Sequence, residues 1–273
     1  MKGEGDRGRL ASWAAEVALW TGAGHDPFPE RLRPAAFGLE RPGGAVGQLP
    51  FGAEAAERLA AGASLARYLD HTLLRPAATP DEVRRLGAEA RAHLLGGACV
   101  YPSQVAILVE ALGDAAVVPV AVVGFPSGAH RPEVKAHEAR LAVADGAREV
   151  DAVAALWALR AGDVEGALED AMAVVEAVRP WPVKLILETG LLEPRAVVLG
   201  AGLALFSGCA AVKTSTGTGP PGARVEDVTL LRAVVGTALA VKASGGIRTR
   251  EQAVRLVAAG ASRLGTSASL SLL

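Results

Sequence analysis

AAVKTSTGTG, residues 210–219, is an apolar run that meets a lysine, Lys213, and then breaks into hydroxyl side chains and glycines. The stretch LAVKASGGIRT, residues 239–249, repeats this arrangement around Lys242. A short apolar run that ends in a glycine-rich polar stretch is typical of a buried β-strand and the turn that follows it. Lysine is rarely buried. Two lysines at the ends of two such strands are therefore candidates for a functional site.

Six further runs of the same kind precede or follow these two, so that the chain contains eight in all. They are LARYLDHT (65–72), GACVYP (97–102), VVPVAVVGF (117–125), REVDAVA (148–154), VKLILET (183–189) and SRLGTS (262–267). Longer stretches of helical period lie between them, such as TPDEVRRLGAEARAHL (79–94), RPEVKAHEARLAVADGA (131–147), DVEGALEDAMAVVEAV (163–178) and TREQAVRLVAAGA (249–261). Strands that are apolar along their whole length indicate a parallel sheet covered on both faces.

Eight βα units in about 210 residues predict an α/β fold, a single (β/α)8 TIM barrel. An open doubly wound sheet is the competing architecture. It usually has fewer strands, and it would place a GxGxxG motif after the first strand, where this sequence has none.

The N-terminal part of the chain has a different composition. The first 50 residues contain nine glycines and five prolines, a fraction typical of aperiodic, disordered segments. They also contain Trp13, Trp20, Phe28 and Phe37, which are unusual in a solvated tail. We predict an N-terminal extension over residues 1–52, either disordered or an ordered arm, and a barrel domain over residues 53–273.

The charge balance and the cysteine pattern limit the kinds of molecule and ion that this chain is expected to bind. The chain has 28 Lys+Arg against 29 Asp+Glu, which gives no electrostatic basis for binding nucleic acid or an anionic membrane. Cys99 and Cys209 form no CxxC motif, and the five histidines show no metal-ligand spacing, so we predict no metal. No apolar run approaches the roughly 18 residues that span a bilayer. We expect a cytoplasmic protein that binds small molecules and forms a homo-oligomer, a dimer or a tetramer.

The ends of the strands carry the candidate chemistry, because a TIM barrel holds its active site there. Asp151, Lys213 and Lys242 each place a charge at or near the end of an apolar run. Two adjacent ammonium groups repel by about 3 kcal/mol at ~5 Å and an effective dielectric constant of ~20, so one lysine is expected to be neutral near pH 7. A neutral lysine forms a Schiff base with a carbonyl group, and Asp151 is suited to moving protons.

Glycine-rich loops follow the last three of the predicted strands. SGGIR (244–248) and LGTSAS (264–269) follow the seventh and eighth strands, where barrels often bind a phosphate group on backbone N–H groups, and STGTG (215–219) could add a third wall. The sequence therefore favours a phosphorylated ligand.

The chain from about Leu65 onward resembles the deoxyribose-phosphate aldolases. The motifs LDHTLLRP, ACVYP, VVGFPSGA, GAREVDAVA, LILETGLL, VKTSTG, VKASGGIRT and GTS occur here in the order and the approximate spacing of that family. The resemblance implies a class I aldolase, a lyase of deoxyribonucleotide catabolism that works without metal or cofactor. Its reaction is the reversible cleavage of 2-deoxy-D-ribose 5-phosphate to acetaldehyde and D-glyceraldehyde 3-phosphate.

The resemblance also implies roles for individual residues. It gives the Schiff base to Lys213, the neighbouring cation to Lys242 and proton transfer to Asp151. Residues implied to bind the substrate are Asp70, Thr72 and Cys99, and residues implied to bind the phosphate are Gly217, Gly245, Gly246 and Ser267. This chain departs from the family at Ala268, where a second serine is common, and at Thr218, where some members have lysine.

Two rival functions are consistent with the same sequence. Another Schiff-base barrel aldolase, acting on a different sugar phosphate, would use the same lysine chemistry. A barrel that binds a sugar phosphate without turnover would not need a neutral lysine.

We expect Lys184 with Glu188, and Lys135 with Glu138, to form structural ion pairs and not catalytic groups.

Overall fold

A computed structural model of the 273-residue chain describes residues 8, 12, 13, 15, 16, 49–219 and 221–273. Eight parallel strands close into one barrel, and each strand pairs with its neighbours in chain order, with β1 also pairing with β8. The strands are β1 (Leu69–Thr72), β2 (Gly97–Val100), β3 (Val118–Val123), β4 (Glu149–Val153), β5 (Val183–Ile186), β6 (Ala211–Lys213), β7 (Ala240–Ser244) and β8 (Arg263–Thr266). The predicted TIM barrel is confirmed.

The helices form the outer layer of the barrel. They are α1 (Ala53–Ala60), α2 (Pro80–Ala92), α3 (Val105–Leu112), α4 (Pro132–Ala144), α5 (Leu156–Ala161), α6 (Val164–Val178), α7 (Pro194–Ser207), α8 (Val225–Val235) and α9 (Arg250–Ala258). Short 3₁₀ turns occupy Ala66–Tyr68, Pro102–Gln104, Thr189–Leu191 and Ser269–Leu272. Among the described residues, no helix is long and apolar enough to span a membrane.

Local signals in the sequence explain where several helices begin. Thr79 and Thr249 each form a capping box with the residue three positions later, and Asp163 accepts a hydrogen bond from the backbone of Gly166. These caps satisfy N–H groups that the first turn of a helix leaves free. All four helices that the sequence analysis predicted are present.

The helix before β6 is apolar on every side after its first two residues. In α7, every residue from Ala196 to Ser207 is buried, as expected for a helix without a polar face. Trp13 lies against this helix and is fully buried; a Cβ atom placed on Gly202 would lie 1.9 Å from the Trp13 ring. The absence of a side chain at Gly202 therefore makes room for an aromatic side chain from the N-terminal part of the chain.

Contacts also cross the predicted domain boundary at residues 52 and 53. The Phe51 ring stacks on the guanidinium of Arg232 at 3.8 Å, and the Gly52 N–H donates to the carbonyl of Val257. The division into an extension and a barrel domain stays a prediction. Of the aromatic residues named for the extension, Trp20, Phe28 and Phe37 lie outside the described residues.

Candidate active site

The two lysines of the repeated motif lie side by side on neighbouring strands. Lys213 ends β6, and its register partner on β7 is Lys242. Residues paired in register in a sheet point to the same face, and here that face is the barrel interior. Both side chains are buried, with 2% of Lys213 and 1% of Lys242 exposed.

Asp151 on β4 joins the two lysines. Its Oδ2 atom accepts hydrogen bonds from Lys213 Nζ at 2.8 Å and from Lys242 Nζ at 2.7 Å. Because both nitrogens bind the same oxygen, the distance between them cannot exceed the sum of the two N–O distances, about 5.5 Å. The Oδ1 atom of Asp151 accepts from Lys184 Nζ at 2.8 Å. Burial alone would raise the pKa of Asp151, but the three lysines lower it well below its usual range.

Lys242 is held as a cation by two carboxylates. In addition to Asp151, its Nζ atom donates to Oδ2 of Asp70 on β1. Burial would lower the pKa of Lys242, but the negative charges of Asp151 and Asp70 outweigh burial, and the pKa is raised above its ordinary value. Lys242 is therefore charged at any physiological pH.

A second layer of charge lies beside these groups. Lys184 contacts Glu149 as well as Asp151, and Arg263 lies 2.8 Å from Asp70 and 3.5 Å from Glu149. Burial lowers the pKa values of Lys184 and Arg263, but neighbouring carboxylates raise them more, so both side chains keep their charge.

These residues form one buried charge cluster, made of Asp70, Glu149, Asp151, Lys184, Lys213, Lys242 and Arg263. It combines three carboxylates with four basic side chains, so full ionisation would leave one unbalanced positive charge. In the described part of the chain, Lys184, Lys242 and Arg263 each contact two carboxylates, whereas Lys213 contacts only Asp151. Lys213 is thus the basic group of the cluster with the fewest carboxylate contacts.

A cavity of about 390 Å³ opens above the cluster, at the carboxyl ends of the strands. Its wall is formed by loops that follow β1, β6, β7 and β8, together with Lys213. The residues that line it are Thr72, Leu73, Leu74, Arg75, Lys213, Thr216, Gly217, Thr218, Ser244, Gly245, Gly246, Ile247, Arg248, Gly265, Thr266 and Ser267. The amine of Lys213 therefore stands between the charge cluster and the space a ligand would occupy.

One wall of the cavity is formed by two glycine loops in close contact. Gly217 and Gly245 have φ values of 86° and 91°, in the left-handed region that favours glycine. A Cβ atom on Gly245 would lie 2.9 Å from the Cα atom of Gly222 and 3.2 Å from that of Gly217. Only glycine at these positions allows the loops after β6 and β7 to meet.

Comparison with known proteins identifies the family of this chain. The model of the DeoC/LacD family aldolases matches residues 66–268. The chain belongs to this family. It is 48% identical over 208 residues to a deoxyribose-phosphate aldolase from Thermus thermophilus, covering 76% of this chain and 94% of that protein.

Solved structures agree with the family assignment. A candidate deoxyribose-phosphate aldolase from Coccidioides immitis superposes with a TM-score of 0.78 at 32% identity, covering 96% of this chain and 95% of that one. The tetrameric deoxyribose phosphate aldolase of Aeropyrum pernix superposes with a TM-score of 0.70 at 34% identity, covering 76% of this chain and 88% of that one.

The geometry of this aldolase places most of the predicted site residues together. Lys213, Thr72, Gly217, Gly245, Gly246 and Ser267 line the cavity, while Asp151 and Lys242 lie directly behind Lys213. Their individual roles stay predictions.

Two residues predicted to bind substrate lie elsewhere. Asp70 is fully buried, contacts Lys242 and Arg263, and is not among the described residues that line the cavity. Cys99 is also fully buried and does not line it; burial and the negative charge of Asp151 raise the pKa of its thiol to about 11. Asp70 is placed to hold Lys242, and the Cys99 thiol stays protonated.

The two predicted charge pairs have other partners. The Lys184–Glu188 pair is wrong, because Lys184 contacts Glu149 and Asp151 inside the barrel. Glu188 instead accepts hydrogen bonds from the backbone and the side chain of Thr216.

The other predicted pair also differs from the observed contacts. Lys135 forms its ion pair with Asp170 at 2.8 Å, and Glu138 accepts from the backbone N–H of Gly124. Both carboxylates thus hold α4 to neighbouring parts of the barrel.

Sequence reasoning missed the second layer of the cluster. Glu149 and Lys184 lie within apolar strands, and Glu149 is two positions from Asp151. Side chains two apart in a strand share a face, so this spacing could have placed Glu149 beside Asp151. Arg263 at the start of β8 carries no comparable signal.

Proposed function

We propose that this aldolase cleaves 2-deoxy-D-ribose 5-phosphate to acetaldehyde and D-glyceraldehyde 3-phosphate through a Schiff base on Lys213. The observation that carries the proposal is the position of Lys213. It faces the cavity, and it is the one basic group of the charge cluster that contacts a single carboxylate.

The charge balance of the cluster supports a neutral nucleophile. Three carboxylates balance the charges of Lys184, Lys242 and Arg263, so a proton on Lys213 would add an uncompensated charge in a buried site. Such a charge is costly in a protein interior. Loss of that proton leaves an amine with a free electron pair beside the cavity, which is the form that attacks a carbonyl carbon.

The bond changes follow from this amine. Lys213 Nζ adds to the aldehyde carbon of the open-chain sugar, and the carbinolamine that results takes up one proton from solvent and loses water to give a protonated imine. The bond between carbons 2 and 3 then breaks, its electron pair moves toward the imine nitrogen, and the hydroxyl on carbon 3 loses its proton to become the aldehyde of glyceraldehyde 3-phosphate. Protonation of the resulting enamine at carbon 2 and addition of water release acetaldehyde and the free lysine.

Asp151 and Lys242 assist without changing their net charge. The lowered pKa of Asp151 keeps it an anion in the resting site, where it orients both amines and can accept a proton only in passing, directly or through water. Lys242 stays a cation and repels a second positive charge on Lys213. The reaction in this form uses no metal and no cofactor.

The glycine loops are suited to the phosphate group. Gly217, Gly245 and Gly246 bring backbone to the cavity surface without side chains, and Ser267 and Arg248 lie on the same wall. Backbone N–H groups and a guanidinium are favourable partners for a phosphate. Homo-oligomer formation and a cytoplasmic location stay predictions.

Turnover of the purified protein tests the proposal. We expect release of acetaldehyde from deoxyribose 5-phosphate at the same rate with and without EDTA, and loss of that activity in Lys213→Met. Ketose phosphates should be poor substrates by comparison. Faster cleavage of a ketose phosphate would favour the rival aldolase, and absence of turnover with intact ligand binding would favour the non-catalytic barrel.

A further inference from the structure

Glu188 is a buried carboxylate that the proposed mechanism does not use. It lies just after β5, is 9% exposed and has a φ of 46°, a left-handed conformation that is uncommon outside glycine. Its Oε2 atom accepts hydrogen bonds from the backbone N–H of Thr216 at 3.0 Å and from the Thr216 hydroxyl. Glu188 thus holds the loop after β6, which carries residues 216–218 of the cavity wall.

The direction of these hydrogen bonds is fixed by the carboxylate. An ionised carboxylate can only accept, so the single hydroxyl proton of Thr216 is donated to Glu188. The Thr216 Oγ1 atom also lies 2.8 Å from the hydroxyl oxygen of Thr218. Because Thr216 has no proton left for this contact, Thr218 must be the donor in it.

The same reasoning decides what Thr218 offers to a ligand. Its hydroxyl proton points at Thr216, and its side chain lines the cavity. The hydroxyl therefore presents only lone pairs toward the ligand. Phosphate oxygens at neutral pH are mostly acceptors, so they make poor partners for it, whereas a sugar hydroxyl can donate to it.

We infer that Glu188 is a positioning residue that, through Thr216, orients Thr218 to accept a hydrogen bond from a hydroxyl group of the sugar. The inference rests on the proposed function and adds a specificity determinant to it. Hydroxyl groups of the substrate lie between the aldehyde carbon that reacts with Lys213 and the phosphate. Thr218 would select for such a hydroxyl and contribute little to phosphate affinity.

Two variants test this arrangement by steady-state kinetics. Glu188→Leu removes the acceptor and frees the Thr216 proton, and Thr218→Val removes the hydroxyl at nearly constant size. We expect each to raise KM for deoxyribose 5-phosphate about tenfold, the usual effect of losing one hydrogen bond in a site. Glu188→Gln retains an acceptor and should restore most of the affinity. Glu193→Gln is the matched control, since that carboxylate is 76% exposed and should change nothing.

Two further readouts separate positioning from a general loss of structure. Imine formation with acetaldehyde, which has neither hydroxyl nor phosphate, should stay within about twofold of wild type in both variants. The inhibition constant of inorganic phosphate should be unchanged in Thr218→Val. Because both variants disturb one chain of hydrogen bonds, the double variant should raise KM by less than the product of the single effects.

The outcomes distinguish this inference from the proposed function. An unchanged KM in Thr218→Val, or phosphate inhibition that weakens as much as KM rises, would overturn the assignment of Thr218 as an acceptor for a sugar hydroxyl. If Glu188→Leu does not fold, Thr218→Val alone decides whether Thr218 accepts a hydrogen bond from a sugar hydroxyl. A folded Glu188→Gln enzyme in which the inhibition constant of inorganic phosphate equals that of wild type then supports the positioning role of Glu188. Failure of wild type to form an imine with acetaldehyde would overturn the proposed function instead.

Discussion

Replacement of Lys242 by leucine removes one positive charge from the buried cluster. The cluster then has three carboxylates and three basic groups, Lys184, Lys213 and Arg263, so a proton on Lys213 is balanced. Asp151 would keep its contacts with Lys184 and Lys213, and Asp70 would keep Arg263. We expect Lys213 to retain its proton in this variant and to lose its reactivity toward carbonyl groups at neutral pH.

The size of the effect follows from the distance between the two nitrogens. At the upper limit of about 5.5 Å set by their shared oxygen, and with an effective dielectric constant of ~20, the repulsion is about 3 kcal/mol. This corresponds to a factor of about 100 in the fraction of neutral amine. Imine formation at pH 7.5 should fall by about that factor.

The assay is the initial rate of imine formation with acetaldehyde, trapped with borohydride, between pH 7 and pH 10. The rate in Lys242→Leu should recover as the pH rises, because hydroxide then removes the proton that Lys242 no longer repels. Lys242→Arg retains a cation and should lose less at pH 7.5. A Lys242→Leu enzyme with the rate and pH profile of wild type would refute the charge argument, and a loss that higher pH does not reverse would indicate damage to the site instead.

Three other predictions concern stability and the cavity wall. Burial would raise the pKa of Asp70, but the positive charges of Arg263 and Lys242 lower it to about 2. The ionised carboxylate therefore adds about 2 kcal/mol to the free energy of unfolding above pH 4, and this contribution is lost as the pH falls toward 2. Over that pH range, the thermal midpoint of wild type should drop more than that of Asp70→Asn. Gly245→Ala places a Cβ atom 2.9 Å from Gly222 Cα, so we expect KM for deoxyribose 5-phosphate to rise at least tenfold while the imine with acetaldehyde still forms. An unchanged KM would show that the contact between the two loops is not needed for binding. Trp13→Ala opens the space beside Gly202 and should cost about 3 kcal/mol in urea unfolding, with kcat retained; equal stability would mean that the packing of Trp13 on α7 is not maintained in solution.

The barrel was predictable because its strands are marked in the sequence by composition. Runs such as AAVKTS and LAVKAS are apolar until the residue that enters the site, and capping residues such as Thr79 and Thr249 mark where helices begin. These are local signals, so a single sequence contains them. The register of Lys213 with Lys242 then follows from two similar motifs on neighbouring strands.

The partners of the charged groups were less predictable, because they depend on distances across the barrel. Asp70 ends the same kind of run as Lys213, but its side chain lies under Lys242 and not in the cavity. Glu188 follows Lys184 by four residues, yet β5 ends at Ile186 and the chain turns at Glu188, which directs its carboxylate to Thr216. Sequence spacing does not encode such a turn.

Borohydride trapping with isotopically labelled acetaldehyde, followed by peptide mapping, tests the central claim most directly. The chain contains five lysines, at positions 2, 135, 184, 213 and 242, so the modified residue can be assigned without ambiguity. We predict an adduct on Lys213 that is formed in the presence of EDTA and is absent from Lys213→Met. An adduct on Lys242 with none on Lys213, or no adduct in an enzyme that still cleaves deoxyribose 5-phosphate, would contradict the account.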